Sequence, residues 1–200
     1  MNRLTRSWPG LLRIPVRLAG HCSSLALAIV LLGVLFYFGR SLKYDLARVA
    51  EMPERSIIYD RHKNELGRLH GAHRYIVDLK EVSPNFIKAL FAREDKDFHR
   101  HFGVDPRGVG RAIYQNIKRK EFAQGASTLT MQLARNAFNL PREGSKLNQL
   151  DRKLLELTLA LRIEARYRKD EILQHYMNLI FWGGSIHGVE AASRAYLEKS

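Results

Sequence analysis

Hydrophobic and polar positions divide the chain into three regimes. Residues 21–39 carry no charge and 25–38 are almost wholly apolar, roughly the 20 residues that span a bilayer core. Residues 55–78 mix short apolar runs with turn residues, and the pattern predicts strands at 56–59, 67–69 and 75–77. From Ser83 onward the apolar spacing is three and four, the period of a helix. Ser83 is placed to cap, with Pro84 at the first helical position. The face that follows carries Ile87, Leu90, Phe91, Glu94, Phe98 and His101, and Gly103 stops it.

Asp105 and Pro106 start a second helix with Val109, Ala112, Ile113 and Ile117. Ser127 and Thr128 cap a third that reaches about Phe138. The helix over 147–166 is apolar on two sides. Leu150, Leu154, Leu157 and Leu161 form one row, while Arg152, Glu156, Leu159 and Ile163 form a nearly opposite one. Such a helix is expected at the centre of its domain. Asp170 caps the next helix, with Ile172, Leu173, Tyr176, Met177 and Ile180, and Gly183-Gly184 breaks it. A last helix runs from near Gly188 into Ser200, an ending that suggests a longer protein. The expected organisation is a basic N-terminus (1–20), an anchor (21–39), a polar connector (40–54), a short β segment (55–82) and a mainly α domain (83–200).

Charge sharpens this picture. Thirty-three Lys and Arg against 20 Asp and Glu give +13, which suits an anionic partner such as nucleic acid, a membrane surface or a phosphorylated substrate. Cys22 is the single cysteine, so no internal disulfide forms. Arg3, Arg6, Arg13 and Arg17 precede the apolar run with no acid among the first 20 residues, which favours a cytoplasmic N-terminus. The bias is modest, because Arg40, Lys43 and Arg48 follow the run. It ends in Phe36, Tyr37 and Phe38 rather than the small residues of a cleavage site, so a retained anchor is expected.

Two carboxylates interrupt apolar patterns. Glu94 lies in line with Leu90, Phe91 and Phe98. A carboxylate there either pairs with a buried cation or faces a cleft, where desolvation suits a general base. Glu156 shares a face with Arg152, as a plain i, i+4 pair or as part of a site. Two such carboxylates on separate helices fit glycoside chemistry. Gly125-Ala126-Ser127-Thr128 opening a helix can present backbone N–H groups to a phosphate, beside Arg135, Arg152 and Lys153. His99 and His101 point to different helix faces, and His70 and His73 have no evident third ligand, so no histidine metal site is expected. Trp182 reads as packing.

These residues resemble a known family. Glu94-Asp95-Lys96-Asp97-Phe98-His99-Arg100-His101-Phe102-Gly103 is similar to the first signature of glycosyltransferase family 51. Gly125 to Asn136 resembles the second, with Met131 where a first glutamine is common and Gln132 as the other. Arg152-Lys153 with Glu156 resembles the third. Lys169, Ile172, Leu173, Tyr176 and Asn178 follow the fourth, and Gly188-Val189-Glu190-Ala191-Ala192 with Tyr196 the fifth. The fifth departs from the usual Tyr-Phe-Gly-Lys at Leu197 and Glu198.

The resemblance implies a lysozyme-like, two-lobed, mainly helical domain with a membrane-proximal lobe. It implies inverting transfer of a lipid-linked glycan donor to the N-acetylglucosamine 4-hydroxyl of lipid II, with release of polyprenyl diphosphate. It carries a catalytic role to Glu94, as base, and to Glu156, which would organise the diphosphate side. Asp95, Phe98, His101, Gly125, Ser127, Thr128, Gln132, Arg135, Asn136, Arg152 and Lys153 become expected substrate contacts, with Arg142 or Lys146 as a further basic residue. It allows a divalent cation such as Mg2+ at the diphosphate and no organic cofactor. Expected partners are lipid II, the growing strand, the membrane and other cell-wall synthesis proteins, and not nucleic acid. The expected location is the bacterial cytoplasmic membrane, single-pass, N-terminus inside, with the domain on the external face. Within the family the short β segment resembles the bifunctional form that carries a penicillin-binding transpeptidase rather than a monofunctional polymerase. A lysozyme-like cleaving enzyme is the main rival; it would need a protonated acid, whereas the basic residues around Glu156 favour a diphosphate leaving group. A basic membrane-tethered scaffold or nucleic-acid binder is the remaining one, and it leaves both glutamates unexplained.

Overall fold

The computed structural model describes residues 13–51, 57–68, 75–119, 127–141, 144–184 and 186–198. The architecture is mainly α. Helix α1 (Arg13–Ser41) contains one stretch, Ser23–Ser41, long and apolar enough to cross a membrane, and of its residues only the last, Ser41, is buried in the protein. The run ends where Ser41 Oγ donates back to Phe38 O (2.7 Å) and Arg162 donates to the carbonyls of Ser41 and Tyr44.

The segment after α1 is more than the polar connector expected of it. Asp45 accepts from Ala47 N–H (2.9 Å) and starts a short 3-10 turn, Leu46–Val49. Leu46 and Val49 are buried in the core, Tyr44 packs edge-on to Phe138 at 5.2 Å, and Tyr167 Oη donates to Leu46 O (3.0 Å). Only two hydrophobic side chains in a polar stretch are needed to dock it. Beyond it, β1 (Ile57–Tyr59) and β2 (Glu65–Arg68) pair antiparallel. The third expected strand, at 75–77, forms no ladder. It is an extended strap pinned by Asn178, whose Oδ1 accepts from Val77 N–H (2.9 Å) and whose Nδ2 donates to Val77 O (2.9 Å) and Gln174 O (3.1 Å). Asn178 is fully buried. Alanine there strands both Val77 backbone groups, and the expected loss is roughly 3 kcal/mol of stability. Urea unfolding checks this, and an unchanged midpoint contradicts it.

Helix α2 (Pro84–Glu94) begins at Ser83 and Pro84 as expected but stops short. The stripe from Ile87 to His101 is not one continuous helix: Asp95 leaves the helical conformation, and Phe98–Arg100 forms a separate 3-10 turn. The cause is non-local. The Asp95 carboxylate accepts from Leu129 N–H (3.0 Å) and bonds the His101 ring at 2.9 Å and 3.0 Å. Gly103 closes this turn with φ +78°, and a Cβ there would lie 2.9 Å from the Ala160 backbone, so glycine is required twice over.

Helix α3 (Pro106–Arg119) carries exposed Tyr114 and Ile117. Helix α4 (Leu129–Ala137) is capped by Thr128, whose Oγ1 accepts from Met131 N–H (3.2 Å) and donates to Gly103 O (2.7 Å). Helix α5 (Lys146–Arg166) has Ser145 as its cap. One face is central as expected: Leu155, Glu156, Leu159 and Ile163 are buried. The opposite row is not, since Leu150, Leu154 and Leu161 are exposed. The two-sided apolar pattern thus reflects a core face and an uncovered face, with α1 packed alongside.

Helix α6 (Lys169–Leu179) is capped at Arg168 rather than Asp170, with the Glu171 carboxylate accepting from Arg168 N–H (2.7 Å). After it a short hairpin, β3 (Phe181–Gly183) and β4 (Ile186–His187), replaces the simple break expected at Gly183-Gly184. Helix α7 (Val189–Leu197) follows. The core lies where α4, α5 and α6 meet, with Leu129, Leu133, Leu159, Ile163, Ile172 and Met177 at its centre.

Candidate active site

Glu94 is the last residue of α2, and its side chain is 37% exposed. The turn at Asp95 swings it out of the apolar stripe and into a cleft of about 800 Å³, walled by the end of α2, by α3 and by the start of α4. Arg93, Lys96, Asp105, Arg111 and Gln132 line the same cleft. Glu94 Oε2 accepts from Gln132 Nε2 (3.0 Å), and Gln132 Oε1 accepts from Tyr176 Oη (3.2 Å). Arg93 Nε stands 3.8 Å from Glu94 Oε1. Glu94 is therefore an open, hydrogen-bonded carboxylate rather than a desolvated one on an apolar face.

Glu156 is the opposite case. Its side chain is 0% exposed, on the core face of α5. Oε1 accepts from Arg152 and lies 3.5 Å from Arg135, while Oε2 lies 3.2 Å from Lys153. A carboxylate enclosed by three cations is placed as a counter-ion that gathers them. Arg135, Arg152 and Lys153 are 21%, 16% and 35% exposed, and all three share the single Glu156 carboxylate. The Arg152 Nε is buried without a hydrogen-bond partner among the described residues. Lys153 Nζ also donates to Ser127 Oγ, which ties the cations to the start of α4.

Burial pushes the Lys153 ammonium below the ordinary lysine range, and the Glu156 charge offsets this only in part. The sign works in two directions. The protonated form is lost as pH rises through the depressed value, so an activity that needs this charge falls there. Over the same window the folded chain binds fewer protons than the unfolded one, so stability rises with pH. Lys153→Arg is expected to move the alkaline limb of the rate profile to higher pH, and a limb that stays in place contradicts this contribution.

The other expected contacts divide into two groups. Ser127, Gln132 and Arg135 line the cleft. Asp95 and Thr128 also reach its wall but are buried, and with Phe98 and His101 they support it from within. Phe98 is buried and stacks on Phe91 at 5.4 Å, the Asp95 and His101 side chains are buried against each other, and Thr128 caps α4. Asn136 is half-buried in the last turn of α4, and Lys146 opens α5. Gly125 and Arg142 lie outside the described residues, as do His70 and His73. Sequence reasoning missed the cleft position of Arg93 and Arg111 and the role of Tyr176. Its phenol on an apolar helix face was the available signal.

The cation group also has a defined place relative to the anchor. Asp151, next to Arg152, accepts from Tyr37 Oη (2.8 Å) and from Arg40 (2.5 and 3.3 Å), and Thr158 Oγ1 meets Tyr37 O (3.4 Å). Arg162, further along α5, meets Ser41. The C-terminal part of α1 is therefore packed against α5 between Asp151, the neighbour of Arg152, and Arg162.

An open carboxylate thus faces a cleft that it shares with one of a group of gathered cations, on a mainly α domain behind an apolar helix. The transglycosylase family model matches residues 62–200, and the chain belongs to that family. Penicillin-binding protein 2D of Bacillus subtilis (strain 168) is 37% identical over 181 residues, covering 90% of this chain and 25% of the relative. Penicillin-binding protein 1A of Escherichia coli (strain K12) is 37% identical over 183 residues, covering 88% and 21%. Penicillin-binding protein 1A of Aquifex aeolicus (strain VF5) is 37% identical over 147 residues, covering 74% and 20%. The chain thus spans a quarter or less of the length of these curated relatives.

Proposed function

We propose that the chain polymerises lipid II into linear glycan strands as the glycosyltransferase part of a class A penicillin-binding protein. Glu94 takes the proton from the acceptor's 4-hydroxyl as that oxygen attacks the anomeric carbon of the donor. The C–O bond to the diphosphate breaks, and the electron pair leaves on the diphosphate, whose charge Arg135, Arg152 and Lys153 neutralise. Cations thereby replace a general acid. The new linkage has inverted configuration. The carrying observation is that open Glu94 shares its cleft with Arg135, which Glu156 gathers together with Arg152 and Lys153 on the helix packed against α1.

A divalent cation such as Mg2+ finds no ready cage of protein ligands, because no three His, Cys, Asp or Glu side chains cluster among the described residues. Such an ion would rest on the diphosphate oxygens. The proposal places α1 across the bacterial cytoplasmic membrane with its N-terminus inside. The domain then faces outward among other cell-wall synthesis proteins, with a transpeptidase further along the full protein. The test offers the purified chain labelled lipid II in one reaction and finished peptidoglycan in another. Elongated polymer from the first and no fragments from the second is expected. Soluble fragments from finished polymer would mean a cleaving enzyme.

A further inference from the structure

We propose that Tyr176 is a positioning residue that acts through the Gln132 side chain to hold Glu94 in the orientation a base requires. This rests on Glu94 being the base. Glu94 ends α2, and no backbone element follows to confine its rotamer. The amide of Gln132 does so through its NH2 end, the only end an ionised carboxylate can bond. Tyr176 anchors the other end of that amide. It is buried, and its Oη donates to Gln132 Oε1 at 3.2 Å, while the NH2 end bonds Glu94 Oε2 at 3.0 Å. Burial and the nearby Glu94 charge push the phenol well above its ordinary range, so it remains a donor at working pH. Oε2 is thereby engaged, and Oε1, approached only by the exposed Arg93 at 3.8 Å, is the oxygen that faces the acceptor hydroxyl.

The test is a double-mutant cycle in lipid II polymerisation, with rates per folded molecule. Tyr176→Phe is expected to lower kcat about tenfold, the equivalent of one lost hydrogen bond, with KM within about twofold. Adding it to Gln132→Ala is expected to change nothing further, since the tyrosine acts only through that amide. Multiplying losses, or a Tyr176→Phe effect confined to melting temperature, would overturn the relay. Full polymerisation by Glu94→Gln would instead remove the reading beneath it.

At the exit of α1 a separate cavity of about 360 Å³ lies between Leu42, Lys43, Tyr44, Asp45, Arg162 and Arg166. Basic residues on the external side of a span run against the usual charge bias, and their neighbours explain only some of them. Arg40 is held by Asp151, and Arg162 by the Ser41 and Tyr44 carbonyls. Lys43 and Arg166 have no carboxylate within ion-pair range among the described residues, and Asp45 is occupied in capping Ala47. With α1 across the bilayer the cavity lies at headgroup depth, apolar at Leu42 and cationic opposite. We infer that it binds the phosphate of an anionic phospholipid headgroup.

The full chain in neutral detergent is melted with dioctanoyl phosphatidylglycerol, dioctanoyl phosphatidylcholine or inorganic phosphate. The expected result is a rise of about 3 °C with phosphatidylglycerol alone. The doubly substituted Lys43→Gln, Arg166→Gln chain is expected to lose the rise while melting unchanged without lipid. Equal rises with both lipids, a full rise with inorganic phosphate, or a rise that survives the substitutions would each overturn the site.

Discussion

Glu94→Gln is expected to abolish glycan polymerisation while the helical content and melting temperature stay near those of the wild type. The fold should tolerate the change because Glu94 contributes no core packing. It is an exposed helix-terminal side chain whose one close bond, from Gln132, can be accepted equally by an amide oxygen. Chemistry should not tolerate it, because an amide takes no proton from the attacking hydroxyl. General-base catalysis contributes on the order of 10²–10⁴ in rate, so the product ladder of labelled lipid II should vanish on a gel. Near-normal polymer from a folded variant would remove Glu94 as the base.

The second large effect belongs to Glu156, and it should be twofold. Glu156→Gln removes the one negative charge that Arg135, Arg152 and Lys153 surround. Breaking a buried ion cluster costs about 3–5 kcal/mol in general. The low end is expected, because all three cations retain some contact with water. Activity per folded molecule should fall as well, since cations that repel one another without a centre no longer converge on a diphosphate. Arg152→Ala should weaken donor use, whereas Arg152→Lys keeps charge and partial activity while losing any bidentate contact. Melting temperature and polymerisation rate measured together separate the two contributions. If all three variants differ only in folded fraction, the cluster is structural.

Local chemistry made much of the molecule legible in advance. Ser83-Pro84 and Thr128 lie where helices start, because caps depend on a few neighbouring residues. The apolar stretch and the pairing of Arg152 with Glu156 are local for the same reason. What escaped was set by contacts across long chain separations. The turn that exposes Glu94 exists because Asp95 bonds Leu129, 34 residues away. The strap at 75–77 resembles a strand in pattern, but its partner is the side chain of Asn178, 101 residues away. The docking of 46–49 depends on the burial of Leu46 and Val49 and on the bond from Tyr167, 121 residues away, and the Tyr176–Gln132–Glu94 chain joins three helices. Periodicity on one helix contains none of this. It placed Glu94 and Glu156 in equivalent apolar settings, whereas one is open to the cleft and the other is enclosed by cations.

The central claim is that an open carboxylate and a fixed group of cations together transfer a sugar from a diphosphate. Its most direct measurement is the stoichiometry of polyprenyl diphosphate released from labelled lipid II against glycosidic bonds formed by the purified chain. The account predicts one diphosphate per bond, with release and bond formation lost together in Glu94→Gln and slowed together in Arg152→Ala. Release without bond formation, or bond cleavage with no diphosphate released, would contradict it.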